Sequence, residues 1–268
     1  MSKFISVTDK VILLTGAAGL IGRELTAAFL ADGARVAACD LRTDGLDELT
    51  DRYPTGQLRS YALDITDGAA RERTVAAVRD HFGRIDVLIN SAAIDAKFDK
   101  SGTGKINNSR FEHYPEAALR QSTEVNFTAT IQMTQEVCKL MVTQGHGSII
   151  NLASTYSLVA PNQHLYDFGG QISYKPIDYV ATKSFIPNFT RYLATFYARE
   201  GIRANAVVPH GIENDHSDEF KERFRQFSPL GRMCDRSELV GLFIYLASDA
   251  SSYMTGAVIP VDGGWTAW

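Results

Sequence analysis

Seven short, predominantly apolar runs recur along the chain: KVILLTG, RVAACD, RSYALD, VLIN, GSIINLAS, RANAVV and AVIPVD. A strand with one wet face alternates polar and apolar residues. These runs do not alternate, so both of their faces must be covered. Helical spacing of apolar residues fills most of the intervals, in RELTAAFLADG with its stop at Gly33 and at 69–82, 115–143, 179–200 and 237–248. Strand and helix in alternation call for crossover connections, and hence for an α/β domain built on an open, doubly wound parallel sheet of seven strands. No Pro/Ser-rich linker or repeat divides the 268 residues, of which 45% are hydrophobic and 22% charged. A single domain over residues 1–268 is expected.

The bulk properties exclude several classes of function. The formal net charge is −4 and no segment collects Lys and Arg, which argues against nucleic acid and anionic membranes as partners. Cys39, Cys138 and Cys234 are widely spaced and lack metal-ligand spacing, as expected of reduced thiols. The histidines contain no H-E-x-x-H; His210 and His216 share a loop, where solvated side chains are the simpler reading, and no metal is expected. MSKFISVTDK has no apolar signal-like core and no window is long enough to span a bilayer, so a cytoplasmic protein is expected.

The first apolar run ends in LLTGAAGLIG, with glycines at 16, 19 and 22, where a helix begins. Gly16 suits a tight turn, Gly19 a close approach of backbone to a pyrophosphate, and Gly22 close packing of helix on strand. The N–H groups that follow, around Leu20 and Ile21, face the phosphates. A plain strand-to-helix turn needing positive φ uses the same glycines. Asp40 ends the second run, placed to accept both hydroxyls of an adenosine ribose and to repel a 2′-phosphate, which favours NAD over NADP. Arg42, two residues on, supplies a cation able to neutralise such a phosphate. Further along, Tyr179 and Lys183 stand four apart on an expected helix, so the ammonium shares a face with the phenol and pulls its pKa down. A surface Tyr–Lys pair has the same spacing. Ser154 ends the fifth run, Asp64 the third and Asn90 the fourth, while Asn126 lies inside a helix, where its amide needs partners.

In this order, and with Pro229-Leu230-Gly231-Arg232, Thr255-Gly256 and Asp262-Gly263-Gly264 near the end, the motifs resemble the one-domain form of the short-chain dehydrogenase/reductase family over essentially the whole chain. The resemblance implies a Rossmann-like fold and an NAD(H)-dependent oxidoreductase that interconverts a secondary alcohol and a ketone. In that scheme Tyr179 carries the proton, Lys183 lowers its pKa and binds the nicotinamide ribose, Ser154 holds the substrate oxygen and Asn126 holds a water leading from Lys183 to solvent. Asp40 with Leu41, Asp64 with Ile65, and Asn90 would meet the adenosine half of the cofactor. Ile94, Pro209, Gly211, Ile212 and Asn214 would meet the nicotinamide half. Family members form dimers and tetramers, and a homotetramer is expected. An NADP-dependent carbonyl reductase and a cofactor-binding regulator without turnover are the alternatives.

Three departures from the family pattern carry information. The glycine loop reads T-G-x-x-G-x-x-G, as in larger nucleotide-sugar relatives, but the chain has no room for their second domain. Pro209 is followed by His210 where the family has glycine. The 25-residue spacing from Ser154 to Tyr179 exceeds the family's usual one and marks an insertion at about 155–178, holding Gln163, His164, Tyr166, Asp167, Gln171, Tyr174 and Lys175. Of these, Gln163, His164, Tyr166 and Tyr174 are the candidate substrate contacts. Such side chains suit a sugar, sugar acid or polyol better than an apolar chain; an oligomer contact or an idle surface loop is the other reading. The insertion and the VDGGWTAW ending also resemble, more weakly, oxidoreductases linked to flagellin modification and nonulosonic-acid synthesis. A second polar connection, 94–113, also follows the carboxyl end of a strand, where open α/β sheets bind ligands.

Overall fold

The computed structural model describes residues 5–53, 56–95, 110–168, 171–172 and 174–268. The seven apolar runs become β1 (Val11–Thr15), β2 (Arg35–Asp40), β3 (Leu58–Ala62), β4 (Val87–Asn90), β5 (Gly147–Leu152), β6 (Ile202–Pro209) and β7 (Val258–Val261). They form one parallel sheet in the order β3-β2-β1-β4-β5-β6-β7. The order reverses between β1 and β4, where Thr15 pairs with Cys39 on one side and Asn90 on the other. Chains leaving β1 and β4 diverge there, which opens a crevice at the carboxyl edge.

Helices cover both faces: α1 (Leu20–Ala31), α2 (Asp47–Arg52), α3 (Gly68–Phe82), α4 (Glu116–Thr123), α5 (Thr130–Gln144), α6 (Ile177–Ser184), α7 (Ile186–Phe196), α8 (Asp218–Phe227) and α9 (Val240–Ala247). Successive side chains of a strand point to opposite faces, which explains how one apolar run feeds two cores. Ile12 and Leu14 pack with Leu25 and Phe29 of α1 and Phe243 of α9. Val11 and Leu13 pack with Val78 of α3 and Met133, Val137 and Met141 of α5. Burying a side chain such as Phe29 completely contributes about 2 kcal/mol. Local signals set the helix ends: Asp67 caps α3 by accepting the Ala70 N–H at 3.2 Å, and Gly83 at φ +83° ends it.

The expected helix over 115–143 is divided: a π-helical segment, Glu124–Ala129, separates α4 from α5. The one expected over 179–200 breaks at Phe185 into α6 and α7, with Pro187 in the first turn of α7, where its missing N–H costs no internal bond. The expected 237–248 segment begins as a 3-10 turn, Arg236–Leu239, closed by a reciprocal Asp235–Glu238 capping box, and continues as α9. Two helices, α2 and α8, had no counterpart in the sequence reading, although Phe220, Phe224 and Phe227 mark the apolar stripe of α8. Most of the polar connection 94–113 lies outside the described residues. Among the described residues no helix is long and apolar enough to cross a membrane, and no group of His, Cys, Asp and Glu side chains could hold a metal ion.

Candidate active site

A cleft of about 1110 Å³ runs along the carboxyl edge of the sheet, from the glycine turn after β1 to the start of α6. At its first end Gly16 adopts φ +71°, and a Cβ there would lie 2.8 Å from the Ala92 backbone. A Cβ on Gly22 would lie 2.0 Å from the Gly16 carbonyl oxygen, so the helix can approach the turn only without one. Gly19 is the N-cap of α1 and no side chain caps that end, which leaves the first-turn N–H groups of Leu20 and Ile21 directed to the cleft they line. A pyrophosphate fits this cradle in shape and in charge.

Asp40 stands beside the cradle. Its carboxylate accepts the Ala18 N–H at 2.9 Å and the Arg42 N–H at 3.3 Å, which fixes it at the end of β2. The Arg42 guanidinium is turned to Asp44, 3.3 Å away. Asp64, Leu41 and Ile65 also line this half of the cleft. Asp64 accepts from the hydroxyl and N–H of Thr66, bonds that hold its carboxyl below the usual range. Asn90 points elsewhere: its amide donates to Thr134 at 2.9 Å and Asn151 at 2.8 Å inside the protein, and it does not line the cleft.

The other end gathers Ser154, Tyr179 and Lys183. The Lys183 ammonium donates to the Leu152 carbonyl at 2.8 Å and lies 5.9 Å from the centre of the Tyr179 ring. Burial lowers its pKa to about 8, so it is cationic at neutral pH. Tyr179 does not show the lowered pKa expected from Lys183: burial, then the Asp95 charge, raise it, and only a hydrogen bond with Ser154 opposes them. The phenol therefore holds its proton at neutral pH. Asn126 sits in the π-helical segment, a widened turn often found at functional sites. Its amide accepts the Ile94 N–H at 2.8 Å and donates to the Ile94 carbonyl at 2.9 Å and to Thr182 at 3.1 Å. Both of its N–H groups are thereby used, and the strand-end residues leading to Asp95 are clamped.

The inserted segment places its candidates unequally. Tyr166 lines the cleft, and its hydroxyl meets that of Tyr156 at 2.5 Å. Gln163 accepts the Lys175 backbone N–H at 2.9 Å, His164 is exposed, and Tyr174 stacks under the Arg110 guanidinium; none of these three lines the cleft. Residues 169–170 and 173, and the side chains of Asp167 and Gln171, lie outside the described residues. Asp95, Tyr156 and Lys175 do line the cleft and were not among the candidates. Lys175 had a signal, because it precedes Tyr179 by the same four residues that separate Tyr179 from Lys183.

Beyond β6, Pro209, Gly211 and Ile212 line the cleft, whereas Asn214 is exposed and its N–H meets His216 at 3.1 Å. His210 explains the displaced glycine. Its ring is buried against Trp265, Phe224 and Tyr156, and a Cβ on Gly211 would lie 2.2 Å from Phe224. Burial pushes the His210 pKa down to about 4, the Asp262 charge opposing it, and Nε2 has no hydrogen-bond partner among the described residues. The unfolded chain takes up this proton near 6.5 and the folded chain only near 4, so stability is lost as pH drops from 6.5 to 4. In His210→Phe, urea unfolding from pH 7 to pH 3.5 should show about 3 kcal/mol less acid destabilisation than in the wild type.

Residues 16–266 match the family model described as "Enoyl-(Acyl carrier protein) reductase". The chain is 30% identical to a D-threitol dehydrogenase of Mycolicibacterium smegmatis, over 96% of this chain and 93% of that one. It is 33% identical to a 3-oxoacyl-(acyl-carrier-protein) reductase FabG of Thermotoga maritima, over 95% and 97%. A crystal structure of a short-chain dehydrogenase from Leptospira borgpetersenii with bound NAD+ superposes with a TM-score of 0.86 at 29% identity, covering 99% of this chain and 96% of the other.

Proposed function

Because the chain belongs to the short-chain dehydrogenase/reductase family, we propose that it interconverts a secondary alcohol and a ketone on a polar, polyhydroxylated substrate, with NAD as the preferred nicotinamide cofactor. The observation that carries this reading is a single cleft with the glycine cradle and Asp40 at one end and Ser154, Tyr179 and Lys183 at the other. The cofactor, when bound, supplies the hydride acceptor or donor. All proton handling falls to the chain. In reduction the Tyr179 hydroxyl gives its proton to the carbonyl oxygen as that oxygen gains charge, and the Ser154 hydroxyl donates a hydrogen bond to it. In oxidation the Tyr179 oxygen takes the alcohol proton. The Lys183 ammonium, 5.9 Å from the centre of the Tyr179 ring, is the nearby cation that favours the phenolate this step needs.

The preference for a polar substrate draws on Asp95 in the cleft, whose carboxylate is 45% exposed and keeps acceptor sites beyond its two bonds from Lys175, which an alkyl chain would cover without a partner. The relative named for D-threitol supports it. The NAD preference draws on the Asp40 carboxylate, which is fixed beside the cradle by the Ala18 N–H. One experiment tests both parts: kcat/KM for alditols and for long-chain secondary alcohols with each cofactor, in wild type and Asp40→Ala. Alditols with NAD should lead in the wild type, and Asp40→Ala should narrow the NAD over NADP ratio by 10-fold or more, as removal of a like charge beside the 2′-phosphate implies. A wild type that prefers NADP, or long-chain alcohols, would reject the corresponding part.

A further inference from the structure

Lys175 comes from the inserted segment, yet its ammonium sits 4.1 Å from the centre of the Tyr179 ring, and its side chain is only 8% exposed. It donates to both carboxylate oxygens of Asp95 at 2.7 Å. Gln163 holds the Lys175 backbone from one side, and the Asn126 clamp on Ile94 holds Asp95 from the other. The inserted segment and the end of β4 thus meet in one ion pair, directly beside the group assigned to carry the proton.

The two partners differ in what they have left to offer. Lys175 has its ammonium between a carboxylate and a ring face, and little of it reaches solvent. Asp95 is 45% exposed and lines the cleft, and a carboxylate has about four acceptor sites, of which Lys175 takes two. What faces an incoming molecule is therefore an acceptor with negative charge. Hydroxyl groups donate to it, whereas a carboxylate on the substrate meets a like charge. Among the described residues, the other positively charged side chains lining the cleft are Lys183, which donates to the Leu152 carbonyl beside Tyr179, and Arg42, at the cradle end with Asp44.

We infer that the Asp95–Lys175 pair reads the substrate and selects a neutral vicinal diol, with Asp95 accepting the hydrogen of the hydroxyl next to the reacting carbon and Lys175 positioning Asp95. This rests on the alcohol–ketone reading above and narrows it, because it separates polyols from sugar acids.

Three alcohols oxidised at the same carbon test it: propan-2-ol, propane-1,2-diol and lactate, which differ only in whether the neighbouring carbon is a methyl, a hydroxymethyl or a carboxylate. The quantities are ratios of kcat/KM in wild type, Asp95→Asn and Asp95→Asn/Lys175→Met, with Tyr179→Phe as a separate arm. The wild type should favour the diol over both others by 10-fold or more. Asp95→Asn should cut the diol over propan-2-ol ratio by about 10-fold, in keeping with the loss of a hydrogen bond to a charged group, and should raise lactate relative to the diol. The double variant guards against misfolding caused by an unpaired Lys175, and the same two shifts are expected in it. Unchanged ratios in both variants, or a wild type that prefers lactate, would overturn the inference. Turnover that survives Tyr179→Phe would defeat the mechanism proposed above instead, and the ratios would still judge the pair.

Discussion

Tyr179→Phe should lower turnover of every alcohol or ketone the protein accepts by 100-fold to 10,000-fold, roughly the contribution of a positioned general acid or base, while cofactor affinity changes little. The substitution removes one oxygen and leaves the ring, so Lys175 and Lys183 keep their places around it. Only the proton path is lost. Stopped turnover with an unchanged cofactor titration is the expected pair of results; activity within a few-fold of wild type would show that another group moves the proton. The wild type has a matching pH signature. Burial and Asp95 hold the Tyr179 proton on, so ketone reduction should be supported at neutral pH, and alcohol oxidation should rise as pH climbs toward 8 and gain no further once Lys183 loses its charge.

Gly22→Ala should be severe for a different reason. The new methyl would sit 2.0 Å from the Gly16 carbonyl oxygen and 2.8 Å from the Ala17 Cα, and both are backbone atoms with no rotamer by which to yield. The turn must open or α1 must move away from β1, and either change displaces the first-turn N–H groups that the cradle depends on. A loss of about 1–3 kcal/mol in urea unfolding is expected from overpacking, with cofactor affinity reduced by at least 10-fold. Gly241→Ala is the control. It lies in α9, is exposed and has no atom within 4 Å of the added methyl, so it should stabilise by about 0.5–1 kcal/mol. If both variants titrate cofactor and unfold like the wild type, close packing at Gly22 does not hold the cradle.

Much of this was legible in the linear chain because it depends on local rules. Continuous apolar runs place strands in a covered parallel sheet, and the glycine turn at the end of β1 marks the crevice between β1 and β4. Asp40, Asp64, Ser154 and Tyr179 could be placed because each terminates a strand or begins a helix at the sheet's carboxyl edge, a position set by element order alone. Asn126 was legible as a buried amide needing partners, but the π-helical turn that carries it was not. That widened turn carries the tertiary bonds from Asn126 to Ile94 and Thr182, which no helical periodicity encodes.

Long-range pairings were hidden for the same reason. Asn90 ends the expected strand, but the direction of its amide was settled by Thr134 and Asn151 from two other elements. Gln163, His164 and Tyr174 had the right chemistry for a substrate contact, yet chain reversal in the insertion leaves them off the cleft, with only Tyr166 of the four in it. The Asp95–Lys175 pair joins residues 80 apart in sequence. By itself, the sequence determined the doubly wound sheet, the glycine turn after β1 and the placing of Tyr179 and Lys183 on one helix, since these follow from periodicity, turn geometry and a four-residue spacing. Only the tertiary structure decided which charges line the cleft, because a side chain's partners there are set by the packing of distant segments and not by its neighbours along the chain.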